Sequence, residues 1–159
     1  MEDKITLNLP PVQLIVRPDA DSRRGGAEVF DQLRRRWVAL TPEERVRQHF
    51  VAFLIGCRGC SPSFMANEIG LRLNGTQRRC DTVIFDRSLR PLAVVEYKAP
   101  SVALTQKVFD QIARYNSVLG ARYLIVSNGL RHFCCRYGCG SGYSFLKEIP
   151  DYETMLQNI

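Results

Sequence analysis

Three side chains in the middle of the chain have the types and spacing for phosphodiester chemistry. Asp81 stands at the start of the β-branched and aromatic run 82–85, and Glu96 and Lys98 close the apolar run that begins at Leu92. Strand side chains alternate faces, so Glu96 and Lys98 project to one side and Tyr97 to the other. If the two runs pair through the connection 86–91, their far ends lie side by side and Asp81 comes near Glu96. Two carboxylates can hold a hard divalent cation through oxygen, with water and phosphate oxygens filling the remaining positions. An ion of this kind, Mg2+ or Mn2+, offsets phosphate charge and lowers the pKa of a water. Lys98 can orient that water or stabilise developing negative charge. The backbone carbonyl of Tyr97 lies between the two side chains and is a further candidate ligand. Spacing alone also fits a solvated strand end with an ordinary surface ion pair. Two details favour a site. Glu96 and Lys98 emerge from a buried run, where charge needs a reason, and the following helix carries Gln111 and Tyr115 one turn apart on a single face.

The elements that must position these residues are legible from period and punctuation. Thr41-Pro42-Glu43-Glu44 predicts a helix start: Thr41 caps free N–H groups, Pro42 loses nothing at the first helical position, and Glu44 stands where a capping box wants it. An apolar stripe through Val46, Phe50, Phe53 and Leu54 follows, and Gly56 is expected to stop the helix. Three strands are predicted next, over 64–73, 82–85 and 92–97. The first ends at the tight-turn pair Asn74-Gly75. Leu104, Val108, Ile112, Tyr115 and Leu119 then fall at helical spacing, up to Gly120. Strands are expected over 123–127 and 131–136 around Asn128-Gly129, and a short last helix over 151–157. Residues 1–26 read as an N-terminal extension, with the domain starting at 27. The order of helix, three strands, helix and two strands indicates an α/β sheet covered by helices.

Composition bounds the answer more loosely. The 159 residues are 45% hydrophobic and 24% charged, which fits one globular domain and argues against global disorder. No run approaches the roughly 18 apolar residues of a membrane span, and Met-Glu-Asp-Lys leads into no apolar signal segment, so a cytoplasmic protein away from membranes is expected. A net charge of +6 tilts the partner expectation toward a polyanion. Six cysteines without a secretion signal point to reduced thiols. Cys57-x-x-Cys60 and the group Cys134, Cys135 and Cys139 have spacings that invite a zinc reading. The preferred reading is small buried hydrophobes, since Cys134 and Cys135 continue an apolar strand. His49 and His132 are scattered and are expected to be structural or exposed.

Arg79-Cys80-Asp81-Thr82-Val83-Ile84-Phe85-Asp86, followed by Pro91-Leu92-Ala93-Val94-Val95-Glu96-Tyr97-Lys98, resembles the PD-(D/E)xK nuclease superfamily. Within it, the chain is most similar to the N-terminal nuclease domain of type I restriction enzyme R subunits. Phe109-Asp110-Gln111-Ile112-Ala113-Arg114-Tyr115-Asn116 matches the QxxxY segment of that family, and Leu124-Ile125-Val126-Ser127-Asn128-Gly129 its following strand and turn. The segment from Leu40 to Phe50 resembles the first helix of small stand-alone bacterial members. Cys80 replaces the proline that names the motif. The resemblance implies a restriction-endonuclease-like mixed central β-sheet flanked by helices. It implies Asp81 and Glu96 as metal ligands and Lys98 as the catalytic lysine, with Glu68 as a further metal-site carboxylate. Gln111 and Tyr115 would support the site, and Gln111 and Asn116 would contact DNA. No GxxxxGK[ST] loop is present, so no ATP motor and no complete R subunit is expected.

Arg78 and Arg79 flank the proposed site and are candidates for phosphate contact. Arg34, Arg35 and Arg36 beside Trp37 form a second basic group. The expected function is a Mg2+-dependent DNA endonuclease domain; the alternative is a non-catalytic DNA-binding or assembly module on the same fold. Expected partners are DNA, a second copy of the chain, and motor or specificity subunits in trans.

Overall fold

One hairpin turn and one helical crossover set the central sheet. The structure, a computed structural model, describes residues 5–21, 23, 25–138 and 142–158. Strand β4 (Met65–Leu73) turns at Asn74-Gly75, both with positive φ, into β5 (Thr76–Phe85). This is the hairpin turn that an Asn-Gly pair favours. A short connection leads to β6 (Pro91–Tyr97), antiparallel to β5. The chain then crosses over through α2 (Gln106–Leu119) to β7 (Tyr123–Ser127), parallel to β6. Strands β8 (His132–Tyr137) and β9 (Tyr143–Leu146) complete a six-stranded mixed sheet in chain order.

Helices bury both faces, which is why β6 and β7 are apolar almost throughout. On one face α1 (Pro42–Arg58) and α3 (Tyr152–Gln157) cover Ile84, Val95, Tyr97 and Ile125 through Val46, Phe50, Leu54, Tyr152 and Met155. On the other, α2 sets Val108, Ile112 and Tyr115 on Val83, Val94, Leu124 and Val126.

A second, three-stranded antiparallel sheet precedes α1. It consists of β1 (Val16–Pro18), β2 (Ala27–Asp31) and β3 (Arg36–Ala39). It carries little apolar alternation and is held partly by the Arg17 guanidinium 4.2 Å over the Trp37 ring, which explains why periodicity did not reveal it. The segment read as an extension is therefore joined to the fold. Val16 pairs with Val29, and Leu7 is buried in the α1-side core. The Asn8 N–H donates to the Gly129 carbonyl at 2.8 Å.

Other boundaries shift for physical reasons. α1 runs through Gly56 and ends at Gly59, whose φ of 68° supplies the left-handed cap. β5 begins six residues before the expected start, because the hairpin register carries the polar stretch Thr76-Gln77-Arg78-Arg79 into the sheet. β9 was not predicted; three of its four residues are exposed on the sheet edge.

Candidate active site

Register alone aligns three acids. The pairs Asn67↔Thr82 and Ile69↔Cys80 put Glu68 level with Asp81, and Thr82↔Val95 puts Asp81 level with Glu96. Directly opposed residues of an antiparallel pair are close neighbours, so Glu68, Asp81 and Glu96 form a row across β4, β5 and β6. Glu68 has a φ of 59°, a left-handed conformation uncommon outside glycine, asparagine and aspartate. Beside it the Asp81 carbonyl accepts from Arg47 Nη1 at 3.2 Å.

Glu96 and Asp81 differ in how they are held. Asp81 Oδ2 accepts the Tyr97 backbone N–H at 2.8 Å. Glu96 is 5% exposed, and its Oε2 is buried without a hydrogen-bond partner. Lys98 Nζ lies 3.6 Å from Glu96 Oε1. Burial, then the Asp81 charge, pushes the Glu96 carboxyl up from 4.5 to about 8, against the pull of Lys98. Burial also raises Asp81, against the Tyr97 N–H and the Arg47 charge. The site is thus short of positive charge.

That deficit is the test of fit for a divalent cation. An orphaned buried carboxylate oxygen beside a second carboxylate is a hard-oxygen donor set, so Asp81 and Glu96 fit such an ion. Among the described residues no three His, Cys, Asp or Glu side chains converge as a metal cluster. A cation here therefore relies on the two carboxylates with backbone or solvent oxygens.

Glu68 is differently engaged. Arg47 Nη2 donates to its Oε1 at 2.6 Å, so Glu68 serves as an anchor for Arg47 in this arrangement. Tyr97 contributes its N–H to Asp81, while its ring packs under α1 at 5.7 Å from Phe50. Gln111 Nε2 donates to the Tyr115 hydroxyl at 2.9 Å, pairing the two on one face of α2; no hydrogen bond among the described residues links either to Asp81, Glu96 or Lys98. Asn116 is buried and spends its amide on Ala121, accepting from the backbone N–H at 2.6 Å and donating to the carbonyl at 2.9 Å. Its amide nitrogen also lies 3.4 Å from the Tyr143 hydroxyl, so Asn116 closes the end of α2. Arg78 and Arg79 are exposed on β5.

Sequence reasoning missed Arg47 and Glu43. Arg47 is 4% exposed and reaches Glu44, Glu68 and Asp81 from α1. Glu43 in the first turn of α1 is pushed up by burial and then by the Asp81 charge. A hollow of about 410 Å³ lined by Thr41, Glu43, Arg47 and Ala99 joins that turn to the end of β6. The available signal was Glu44, Arg47, Gln48 and Val51, which fall at i, i+3, i+4 and i+7 and are all buried in α1. Thr41 caps as expected, accepting the Glu44 N–H at 3.1 Å. The Glu44 carboxylate does not return to it and instead accepts from Arg34 at 2.6 Å and Gln48 at 2.9 Å. Arg34 also pairs with Asp31, and so does the Asn67 amide, at 2.9 Å. Thr82 donates to Asn67 at 2.6 Å, and the Tyr97 hydroxyl donates to Thr82 at 2.9 Å. One continuous polar network thus ties the small sheet, α1 and the acid row together.

Four of the cysteines follow their apolar reading, while Cys57 is exposed. Cys60, Cys80, Cys134 and Cys135 are buried free thiols, and burial pushes them up to about 12, 12, 12 and 11. Cys139 lies outside the described residues. His132 is structural, bridging Ser127 Oγ at 2.7 Å and the Asn8 carbonyl at 2.8 Å.

Residues 42–150, more than half of the chain, match the family model described as Type I restriction enzyme R protein N terminus (HSDR_N). The chain belongs to this family. Among solved structures, it is similar to a fragment of an HsdR-type subunit of a type I restriction enzyme from Vibrio vulnificus YJ016, with a TM-score of 0.58 at 20% identity. The alignment covers 75% of this chain and 25% of that one, so this chain spans about a quarter of that structure. The shared architecture is the restriction-endonuclease-like fold, a mixed sheet between helices. Among curated proteins none matches. As a member of the R-protein N-terminal family, the chain is a restriction-enzyme nuclease-like domain. No helix among the described residues is long and apolar enough to cross a membrane.

Proposed function

We propose that this domain is a metal-dependent DNA endonuclease of the PD-(D/E)xK type, with Asp81, Glu96 and Lys98 at its centre. The observation that carries the reading is the buried, unpartnered Glu96 Oε2 beside Asp81, with the Lys98 ammonium 3.6 Å from the other Glu96 oxygen. Asp81 and Glu96 would hold Mg2+ or Mn2+, with the Tyr97 carbonyl as a further ligand. The ion, when bound, supplies Lewis-acid stabilisation of the phosphate and acidifies water.

The protein's own groups do the rest. The Tyr97 N–H fixes the Asp81 carboxylate, and Arg47 holds the Asp81 carbonyl and Glu68, so the row does not splay under its own repulsion. Lys98, partly exposed at the rim, places its ammonium where a scissile phosphate would bring its non-bridging oxygens. There it orients the attacking water and offsets the charge that grows on phosphorus oxygens. Gln111 and Tyr115 support the α2 side of the site. Family membership points to DNA as the substrate and to motor and specificity subunits as partners in trans. One such centre per chain cuts one strand, so duplex cleavage takes two copies or two successive nicks.

Plasmid DNA incubated with the purified domain should be nicked in Mg2+ or Mn2+ and spared in EDTA. Asp81→Ala, Glu96→Ala and Lys98→Met should each lower the rate by at least about a hundredfold, the scale of losing a catalytic electrostatic group. Cleavage that survives the Asp81→Ala, Glu96→Ala double change would refute these roles.

A further inference from the structure

A cleft of about 840 Å³ opens beside the β4 end of the acid row, and the chemistry above does not use it. Its walls come from the β4–β5 hairpin on one side and from Arg34 and β3 on the other. Arg36, Arg72, Arg78 and Arg79 line it, and Glu68 is the only acid among its lining residues. Glu68 is already neutralised by Arg47 at 2.6 Å. Arg36, Arg72 and Arg78 make no ion pair among the described residues. Arg79 has one, to Glu68 at 3.8 Å, from a side chain 73% exposed. An ordinary solvated face intersperses both signs of charge. Here the guanidiniums of Arg36, Arg72 and Arg79 share one concavity with Glu68 as its single acid, while Arg78, level with Leu71, projects from the other face of the hairpin; a bound polyanion relieves the self-repulsion of such a group.

The cleft has a direction. Gly70 and Arg72 on β4 and Gln77 and Arg79 on β5 sit at opposed register positions, Gly70↔Arg79 and Arg72↔Gln77. The same register continues inward to Glu68, level with Asp81. A chain lying along these guanidiniums therefore runs toward the Asp81–Glu96 pair. An acidic peptide following that path would bring carboxylates onto carboxylates. A sugar–phosphate backbone is gripped by arginine forks and presents a hydrolysable phosphate at the end of the path.

We propose that the Arg36–Arg72–Arg79 cleft is a backbone track that holds nucleic acid and leads it into the acid row. The direction of travel rests on the hydrolase reading; the binding itself does not. Gly70 offers a clean probe, because a Cβ added there meets nothing within 4 Å.

Fluorescence anisotropy in EDTA, across a salt series, isolates binding from cleavage. The probes are a short labelled DNA duplex, its single strand, the matching RNA duplex and polyglutamate. The first three identify the source of the backbone. For the nucleic acid bound most tightly, Arg36→Ala with Arg72→Ala should weaken binding about tenfold or more and reduce the salt slope by about 1.8, at 0.9 per lost phosphate. Gly70→Glu should weaken it comparably, while Arg87→Ala with Lys147→Ala, exposed residues outside the cleft, should leave affinity within about twofold. Equal losses in cleft and control variants, unchanged affinity in both cleft variants, or polyglutamate bound as tightly as nucleic acid would overturn the track. Asp81→Ala with Glu96→Ala should abolish cleavage while retaining this binding, so failure of the track and failure of the hydrolase reading are separable.

Discussion

Glu96 carries an electrostatic tension that can be measured without any substrate. Its carboxyl is pushed up to about 8 in the folded protein from an ordinary 4.5, so the metal-free fold binds this proton more tightly than the unfolded chain does. The stabilising contribution is then complete below about pH 4.5 and is lost as pH rises through about 8. Glu96→Gln removes a buried charge while keeping the shape. In EDTA its melting temperature should match the parent near pH 5 and exceed it near pH 9 by about 2–4 °C, the scale of ~1 kcal/mol in a domain of this size. Saturating Mn2+ should close that gap by stabilising the parent alone. A difference independent of pH would contradict the charge deficit. At this scale much of the site was legible: Asp81, Glu96 and Lys98 converge through one short-range strand pairing, which alternation and a turn suffice to predict. Arg47 and Glu43 were not, because their place depends on where α1 lands against the sheet. The type of Asn116 suits both DNA and a helix end, and its bonds to the Ala121 backbone depend on how the chain leaves α2, which spacing does not encode.

The elements act as a clamp around the row, and the N-terminal arm is part of it. Gly129, in the turn between β7 and β8, has a φ of 82°, and a Cβ there would lie 2.7 Å from Leu7 Cδ2 and 3.1 Å from Val46 Cγ2. Gly129→Ala would therefore combine left-handed strain with displacement of the arm from α1. The expected loss is about 1–3 kcal/mol, read as a lower denaturant midpoint with unchanged slope. Amide exchange should also quicken first at Asn8, whose N–H bonds to Gly129. A midpoint equal to that of the parent would show that Leu7 does not hold the arm. Periodicity found α1, α2, β6 and β7 because each buries a face or stripe with its proper repeat. It missed β1, β2 and β3, where polar side chains and a cation–π contact replace an apolar stripe. It shortened β5, whose outer half is polar and gains its strand identity from the Asn74-Gly75 hairpin.

As a whole molecule, the domain joins an acid row short of positive charge to a cleft rich in it, with one polar network bracing both. Glu68 stands where the two meet, lining the cleft and bonded to Arg47. The α/β class followed from element order and the nuclease resemblance from motif order. The meeting of cleft and row did not, because Arg36 and Arg72 are far apart in sequence and come together only when the small sheet packs beside the β4–β5 hairpin. The central claim is that Asp81 and Glu96 share one divalent cation. Crystals soaked in Mn2+ and measured at the manganese edge test it directly. An anomalous peak is expected about 2.0–2.3 Å from an oxygen of each carboxylate, near the first-row and Mg2+ range, and is expected to be absent from Asp81→Ala crystals. Anomalous density confined to other residues, or none between these two, would contradict that claim.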